Sequence, residues 1–311
     1  MTGPLIALTG STGFIGRHLL GALTAGGYRV RVILRRPVEL PPGLSGAVVG
    51  DLARPQNMAA ALAGVDAVVH SAGLAHAMSG TPEDDYRTSN TEATLRLAQA
   101  AAKARVRRFV FLSSIRAQTG PSAPGIVTEA DAPAPVDPYG RSKLAAEEAL
   151  AGVGIDYAVL RPVLVYGPGV KGNMASLLAL AARPLPLPLG GLSGRRSLVS
   201  VESLAAAVST VLRAPDSLRR PFIVAEPDPL TLPEMIAALR AGLGRRPGLL
   251  PVPAGLLGLG LRLAGRTEAW ERLSGSLVAR PDGLAALGWT APLTTREGLA
   301  ALARGSFPQS S

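Results

Sequence analysis

Tyr139 and Lys143 stand four residues apart in Asp137-Pro138-Tyr139-Gly140-Arg141-Ser142-Lys143, and an Ala/Leu/Glu run follows to Leu150. Proline at the start and good helix formers after it predict a helix, so the two side chains share one face. A phenol of pKa near 10 is a poor base at neutral pH, and bringing it to about 7 takes roughly 4 kcal/mol. One ammonium about 4 Å away, at an effective dielectric near 20, is worth roughly that much. The pair is a candidate proton-transfer device; the plainer alternative is a surface helix pair.

A second constellation opens the chain. Leu5-Ile-Ala-Leu-Thr9 is a short apolar run that stops at Gly10, and Gly13 and Gly16 follow at three-residue intervals before an apolar-periodic segment through Ile15, Leu19, Leu20 and Leu23. That order is strand, glycine turn, helix. Glycines suit such a turn because it needs unusual φ values and close backbone approach to a phosphate, and because the helix must pack tightly on the strand. The backbone N–H groups of Thr12, Gly13, Phe14 and Ile15, at the helix's positive end, then face an anion. A glycine trio alone also fits an ordinary tight turn; its place after a strand and before a helix favours a dinucleotide.

Tyr28–Leu34 reads as the second strand, ending at Arg35-Arg36. Dinucleotide sites carry an acid about 20 positions past the glycines for a ribose 2′-OH, or an arginine for a 2′-phosphate. Here Leu34 replaces the acid and two arginines adjoin it, which favours NADP over NAD. The alternative is that both arginines merely end a strand. Further strands are expected at Ala47–Leu52, ending in an acid at Asp51, at Ala67–Leu74 and at Arg108–Ser114, with helices near Met58–Leu62 and over 86–104. Alternating strands and helices predict an α/β, Rossmann-type doubly wound parallel sheet, with ligands at the strands' carboxyl ends. Residues 119–138, rich in Pro, Gly, Ala and Ser, read as a long loop.

The 311 residues allow two unequal lobes. The expected division is a dinucleotide-binding lobe over 1–165, with 195–225 returning to it, and a smaller C-terminal substrate lobe from 166–194 and 226–311. With no cysteine, thiolate chemistry is excluded, and His18, His70 and His76 lack metal-ligand spacing. No metal is expected. A strand at the very start leaves no basic n-region, so a cytoplasmic location is expected. The apolar stretch 248–261 carries two prolines and falls short of the ~20 residues of a membrane span; it reads as a buried or lid helix, with contact to a membrane surface as the alternative. Net charge is +10, but the arginines are scattered and aromatics make up 4%, which fits phosphorylated small molecules better than nucleic acid. The C-terminal residues 305–311 are expected to fray.

Together, Thr9-Gly10-x-x-Gly13-x-x-Gly16, Asp51-Leu52, His70-Ser71-Ala72-Gly73-Leu74, Asn90, Ser113-Ser114 and Tyr139-x-x-x-Lys143 resemble the extended short-chain dehydrogenase/reductases, in their nucleotide-sugar NAD-dependent epimerase/dehydratase branch. The resemblance runs from Leu5 to about Leu212. It implies that the glycines hold a pyrophosphate, Asp51 and Leu52 meet adenine, and Ser71, Ala72 and Gly73 line the cofactor. It also implies that Asn90 orders the catalytic helix, and that Lys143 bridges the nicotinamide ribose and lowers the Tyr139 pKa. Ser114, or alternatively Ser113, holds the reacting oxygen while Tyr139 carries its proton. Pro162 and Val163 lie near the nicotinamide, Asn173 and Arg196 grip a substrate diphosphate, and the enzyme is a homodimer. For Asn173 a helix N-cap, and for Arg196 a solvated arginine, are the alternatives. Leu164, where many sugar epimerases have asparagine, removes one polar hold on the substrate. The implied function is 4-keto reduction or 4-epimerisation of a nucleotide sugar. Alternatives are reduction of an apolar ketone, as in steroid- or flavonol-type relatives, and a non-catalytic NAD(P)-sensing binder.

Overall fold

The computed structural model describes residues 3–74 and 80–306, so His76 and residues 307–311 lie outside the described residues. Seven strands form one sheet: Leu5–Thr9 (β1), Arg29–Leu34 (β2), Ser45–Val48 (β3), Ala67–His70 (β4), Arg108–Leu112 (β5), Tyr157–Pro162 (β6) and Arg220–Val224 (β7). All pairings are parallel, in the order β7-β6-β5-β4-β1-β2-β3. The order reverses at β1, between β2 and β4, and a crevice forms at the carboxyl ends there.

Every side chain of β1, β4, β5 and β6 is buried, as a sheet covered on both faces requires. Ile6 and Leu8 face a layer that includes Leu19 and Leu23 of helix Phe14–Ala25 (α1) and Val208 and Val211 of helix Val201–Arg213. Leu5 and Ala7 face the opposite layer, with Leu97 and Ala101 of helix Ala93–Lys103 (α2) and Ala146 and Leu150 of helix Pro138–Ala151 (α3). Residues 201–224 thus return to the sheet. A separate cluster joins Tyr166, Met174, Leu178, Met235, Ile236, Leu239, Leu299 and Leu302. Within it, helix Leu232–Gly242 begins on a capping box of Thr231 and Glu234.

Three expectations are corrected. The strand expected at 47–52 starts earlier, at Ser45, and stops at Val48, because Gly50 turns the chain at φ +74°. The helix expected at 86–104 passes through a π-helical stretch at Arg87–Glu92 before α2. The loop 119–138 contains a short strand, Ile126–Val127, paired in parallel with Val278–Ala279; no local pattern reveals a partner so distant. The stretch 248–261 forms the helix Ala254–Leu263, of which only Gly258 is buried.

A buried ion pair fastens the sheet to α3. Arg161, on β6, donates to both carboxylate oxygens of Glu147, with the two side chains only 4% and 7% exposed. Ser113 also donates to Glu147, and Arg161 reaches Gln118. Removing one partner strands a charge in the interior. Arg161→Met is therefore expected to cost about 3–5 kcal/mol in chemical denaturation, and adding Glu147→Leu to recover most of it. A single variant as stable as the parent would disprove the dependence.

Candidate active site

At the crevice the glycine turn follows from sterics. Gly10 has φ +73°, and a Cβ there would stand 2.6 Å from the Ala72 nitrogen; a Cβ at Gly16 would stand 2.0 Å from the Gly10 carbonyl oxygen. Helix α1 follows Gly13, which gives it no side-chain cap, so its first N–H groups are unclaimed by a side chain. That cavity, about 490 Å³, brings together Gly10, Thr12, Gly13, Arg35, Arg36, Asp51, Leu52, Ser71, Ala72 and Gly73. Ser89 and Ala93 also line it and were not anticipated. Phe14 and Ile15 open α1 without lining the cavity; Phe14 packs edge-on against His18. The glycine turn and the start of α1 fit the pyrophosphate of a dinucleotide.

Beneath the cavity runs a directed hydrogen-bond chain. The Ala72 N–H donates to Thr9 Oγ1 at 3.2 Å, and Thr9 Oγ1 lies 2.7 Å from His70 Nδ1. His70 Nε2 lies 3.1 Å from Thr94 Oγ1, which donates to the Asn90 carbonyl at 2.6 Å. Since Thr94 spends its proton on Asn90, it can only accept from His70. The proton therefore sits on Nε2, and Nδ1 accepts from Thr9. Burial, seconded by the charge of Lys143, pushes the His70 pKa down to about 3, keeping the ring neutral.

Asn90 is buried and grips the backbone of Leu74 from both sides, accepting from its N–H at 2.8 Å and donating to its carbonyl at 3.1 Å. It also donates to Ser142 Oγ at 2.9 Å, and Ser142 donates to the Tyr139 carbonyl at 2.8 Å. The π-helical stretch aims this side chain at two elements together. A Cβ at Gly73 would stand 2.8 Å from Asn90 Oδ1 and 3.3 Å from Lys143 Nζ. Gly73 is thus the point where the π-helical stretch, α3 and the chain leaving β4 converge.

Helix α3 starts at Asp137, whose side chain accepts from the Gly140 N–H at 2.6 Å and pairs with Arg116. Tyr139, half-buried one turn before Lys143, is hydrogen-bonded to Ser114. Burial pushes the Tyr139 phenol above its ordinary value, and the Ser114 hydrogen bond opposes that rise. Here the expected depression by Lys143 is corrected. Its ammonium donates to the Leu112 carbonyl at 2.9 Å and lies 4.7 Å above the Phe111 ring, with its own pKa brought down to about 8 by burial. Ser113 is corrected as a substrate contact, because its hydroxyl is buried and spent on Glu147. Pro162 ends β6 and Val163 is buried with its N–H on the Val224 carbonyl; neither lines the cavity. Asn173 is exposed in the first turn of helix Gly172–Ala181, whose N-cap is Lys171, so the capping alternative fails. Arg196 is half-buried beside Gly275, and burial lowers its pKa. Neither lines the cavity. No metal-ligand cluster occurs among the described residues.

Residues 6–225 match the family model described as the NAD dependent epimerase/dehydratase family. The chain belongs to that family. It is 36% identical over 305 residues to a UDP-glucose 4-epimerase of Vibrio cholerae, covering 94% of this chain and 92% of that one. A ceramide reductase of Caulobacter vibrioides is 32% identical over 274 residues, covering 87% and 79%. Among solved structures, MoeE5 in complex with UDP-glucose and NAD superposes with a TM-score of 0.74 at 28% identity, covering 98% of each chain. The chain is an enzyme of an NAD-binding epimerase family with nucleotide-sugar epimerases among its neighbours.

The neutral His70 has a measurable signature. Its pKa is about 3 folded, against about 6.5 unfolded, so the unfolded chain binds the proton first. Its contribution to stability is complete above pH 6.5 and is lost as pH falls from there toward 3. Between pH 7 and 4.5 the parent should lose about 2–3 kcal/mol more than His70→Asn does, read by denaturation at each pH. Equal losses would mean that His70 is not held neutral.

Proposed function

We propose that this enzyme reduces or epimerises a nucleotide-activated sugar at a 4-keto or 4-hydroxyl carbon, with Tyr139 moving the proton. The observation that carries this reading is the Ser114–Tyr139 hydrogen bond one helical turn from Lys143, whose ammonium adjoins Gly73 in the cavity wall. The V. cholerae relative supports the substrate class. When bound, the dinucleotide supplies the hydride acceptor or donor.

The chain's own residues divide the remaining work. The glycine turn and the start of α1 hold the pyrophosphate; Asp51 and Leu52 meet the adenine; Arg35 and Arg36 take a 2′-phosphate, favouring NADP. Lys143 holds the ribose hydroxyls. Ser114 orients the reacting oxygen, and Tyr139 donates its proton there. A phenol whose pKa lies above its ordinary value keeps its proton at neutral pH, which suits giving a proton to a reduced ketone better than taking one from an alcohol. A reductase exchanges spent cofactor each cycle, which suits NADP, whereas an epimerase returns the hydride to the same carbon; that favours 4-keto reduction over epimerisation. Asn173 and Arg196 hold the substrate diphosphate. A second reading, reduction of a ketone on an apolar molecule, is supported by the ceramide reductase relative and by Leu164, 46% exposed where a polar hold on sugar is expected.

Turnover of 4-keto nucleotide sugars with NADPH, measured beside apolar ketones, tests the reading. Tyr139→Phe should abolish turnover while leaving cofactor affinity within a few-fold, since the ring still packs; near-parental turnover would refute the role of Tyr139. Arg35→Asp should reverse the preference for NADPH over NADH. Purified protein that retains NAD and interconverts a sugar pair with no added cofactor would establish the epimerase instead. Lys143 is charged below its pKa of about 8, so affinity for the dinucleotide should decline as pH rises through 8. In calorimetric titrations that decline should vanish in Lys143→Met.

A further inference from the structure

Helix Ala254–Leu263, AGLLGLGLRL, is apolar nearly all the way round, a pattern suited to a protein interior. Only one side is covered, where a Cβ at Gly258 would stand 3.0 Å from the Trp270 ring of the next helix, Thr267–Ser274. Leu256, Leu259 and Leu263, spaced i, i+3 and i+7, turn outward with exposures of 62%, 56% and 81%. The apolar surface continues onto the strap before the helix. Leu250 is half exposed, and its N–H donates to the Leu187 carbonyl at 2.8 Å, two residues from the exposed Leu185.

Charge says what covers this face. From Met235 through the packed helix to Ser274, six arginines stand against two glutamates, Glu268 and Glu271, with no other ionisable side chain. Arg240 is buried on backbone carbonyls, while Arg245, Arg246, Arg262 and Arg266 are exposed. A two-fold contact through this face would set its excess of arginine against itself. An anionic surface with an apolar interior satisfies both features.

We propose that this helix docks on a bilayer bearing anionic lipids, lying in the interface with its leucines among the acyl chains and the arginines on headgroup phosphates. At ten residues it spans about 15 Å, half of a bilayer core, so it lies along the membrane and does not cross it. No described helix is long and apolar enough to span.

Co-sedimentation of the full chain with vesicles tests this. Phosphatidylcholine vesicles with about a third phosphatidylglycerol should bind the protein, pure phosphatidylcholine at least ~10-fold less, and about 0.5 M salt should release it. Replacing Leu256, Leu259 and Leu263 with glutamine should lower the bound fraction ~10-fold while leaving the melting temperature unchanged, since all three are exposed. Arg262→Gln with Arg266→Gln, which leaves the apolar face intact, should weaken binding to the anionic vesicles alone. Absence of binding to anionic vesicles, or binding that neither set of changes alters, overturns the proposal. So does a dimer in velocity sedimentation that the leucine changes dissociate, because a second copy then covers the face.

Discussion

Most of the active-site architecture hangs on the absence of one side chain, at Gly73. Asn90 and Lys143 arrive there from two different helices, and the ammonium and the amide oxygen stand where a Cβ would otherwise force them apart. The close approach lets Asn90 grip Leu74 and Ser142 together, and so sets α3 against the end of β4. Thr9, His70 and Thr94 carry the same constraint down to the first glycine turn through buried hydrogen bonds that have a single consistent direction. The turn for phosphate and the helix bearing Tyr139 are therefore parts of one polar assembly. Its members are satisfied inside a low-dielectric layer, where an unmet donor or acceptor would be costly.

The parallel sheet was legible because buried strands are continuous apolar runs and the glycine trio marks where the first one stops. The helix of Tyr139 and Lys143 was legible for a local reason too: Pro138 at its start and the Ala/Leu/Glu run after it are signals that act within a few residues. What stayed hidden is what depends on direction or distance. Nothing in Ser113-Ser114 says which hydroxyl faces the tyrosine, and the decision lies with Glu147, whose position is set by Arg161. Likewise Lys143 shares a helical face with Tyr139, yet its long stem carries the ammonium to the Leu112 carbonyl. His70 looked idle as a metal ligand, and its part as a neutral linker follows only from the burial of both threonines beside it.

Buried arginines and close glycine contacts secure the sheet and the smaller cluster of helices. Around the sheet, arginines are used as buried multi-point fasteners. Arg108 donates to the carbonyls of Val211, Ala214 and Asp216 as well as to Asp156, and Arg161 to Glu147. In the smaller cluster, small residues allow close contact, with a Cβ at Gly242 only 2.2 Å from the Ala300 carbonyl oxygen and one at Gly298 only 2.1 Å from the Tyr166 hydroxyl. Each guanidinium resists shear because it has several fixed directions, as Arg240 does in the smaller cluster on the carbonyls of Ala181, Arg183 and Leu185; the glycine contacts depend on shape.

The pairing of Ile126–Val127 with Val278–Ala279 also sets the order in which the enzyme can be made. The segment leading to Tyr139 is held at Ala123 by the Ser276 carbonyl, and Val127 receives the Arg280 N–H. A ribosome that has delivered the whole of the seven-stranded sheet, through Val224, has not yet supplied these partners. On a nascent chain the strands around the crevice are therefore complete before the loop leading to α3 meets the partners that anchor it.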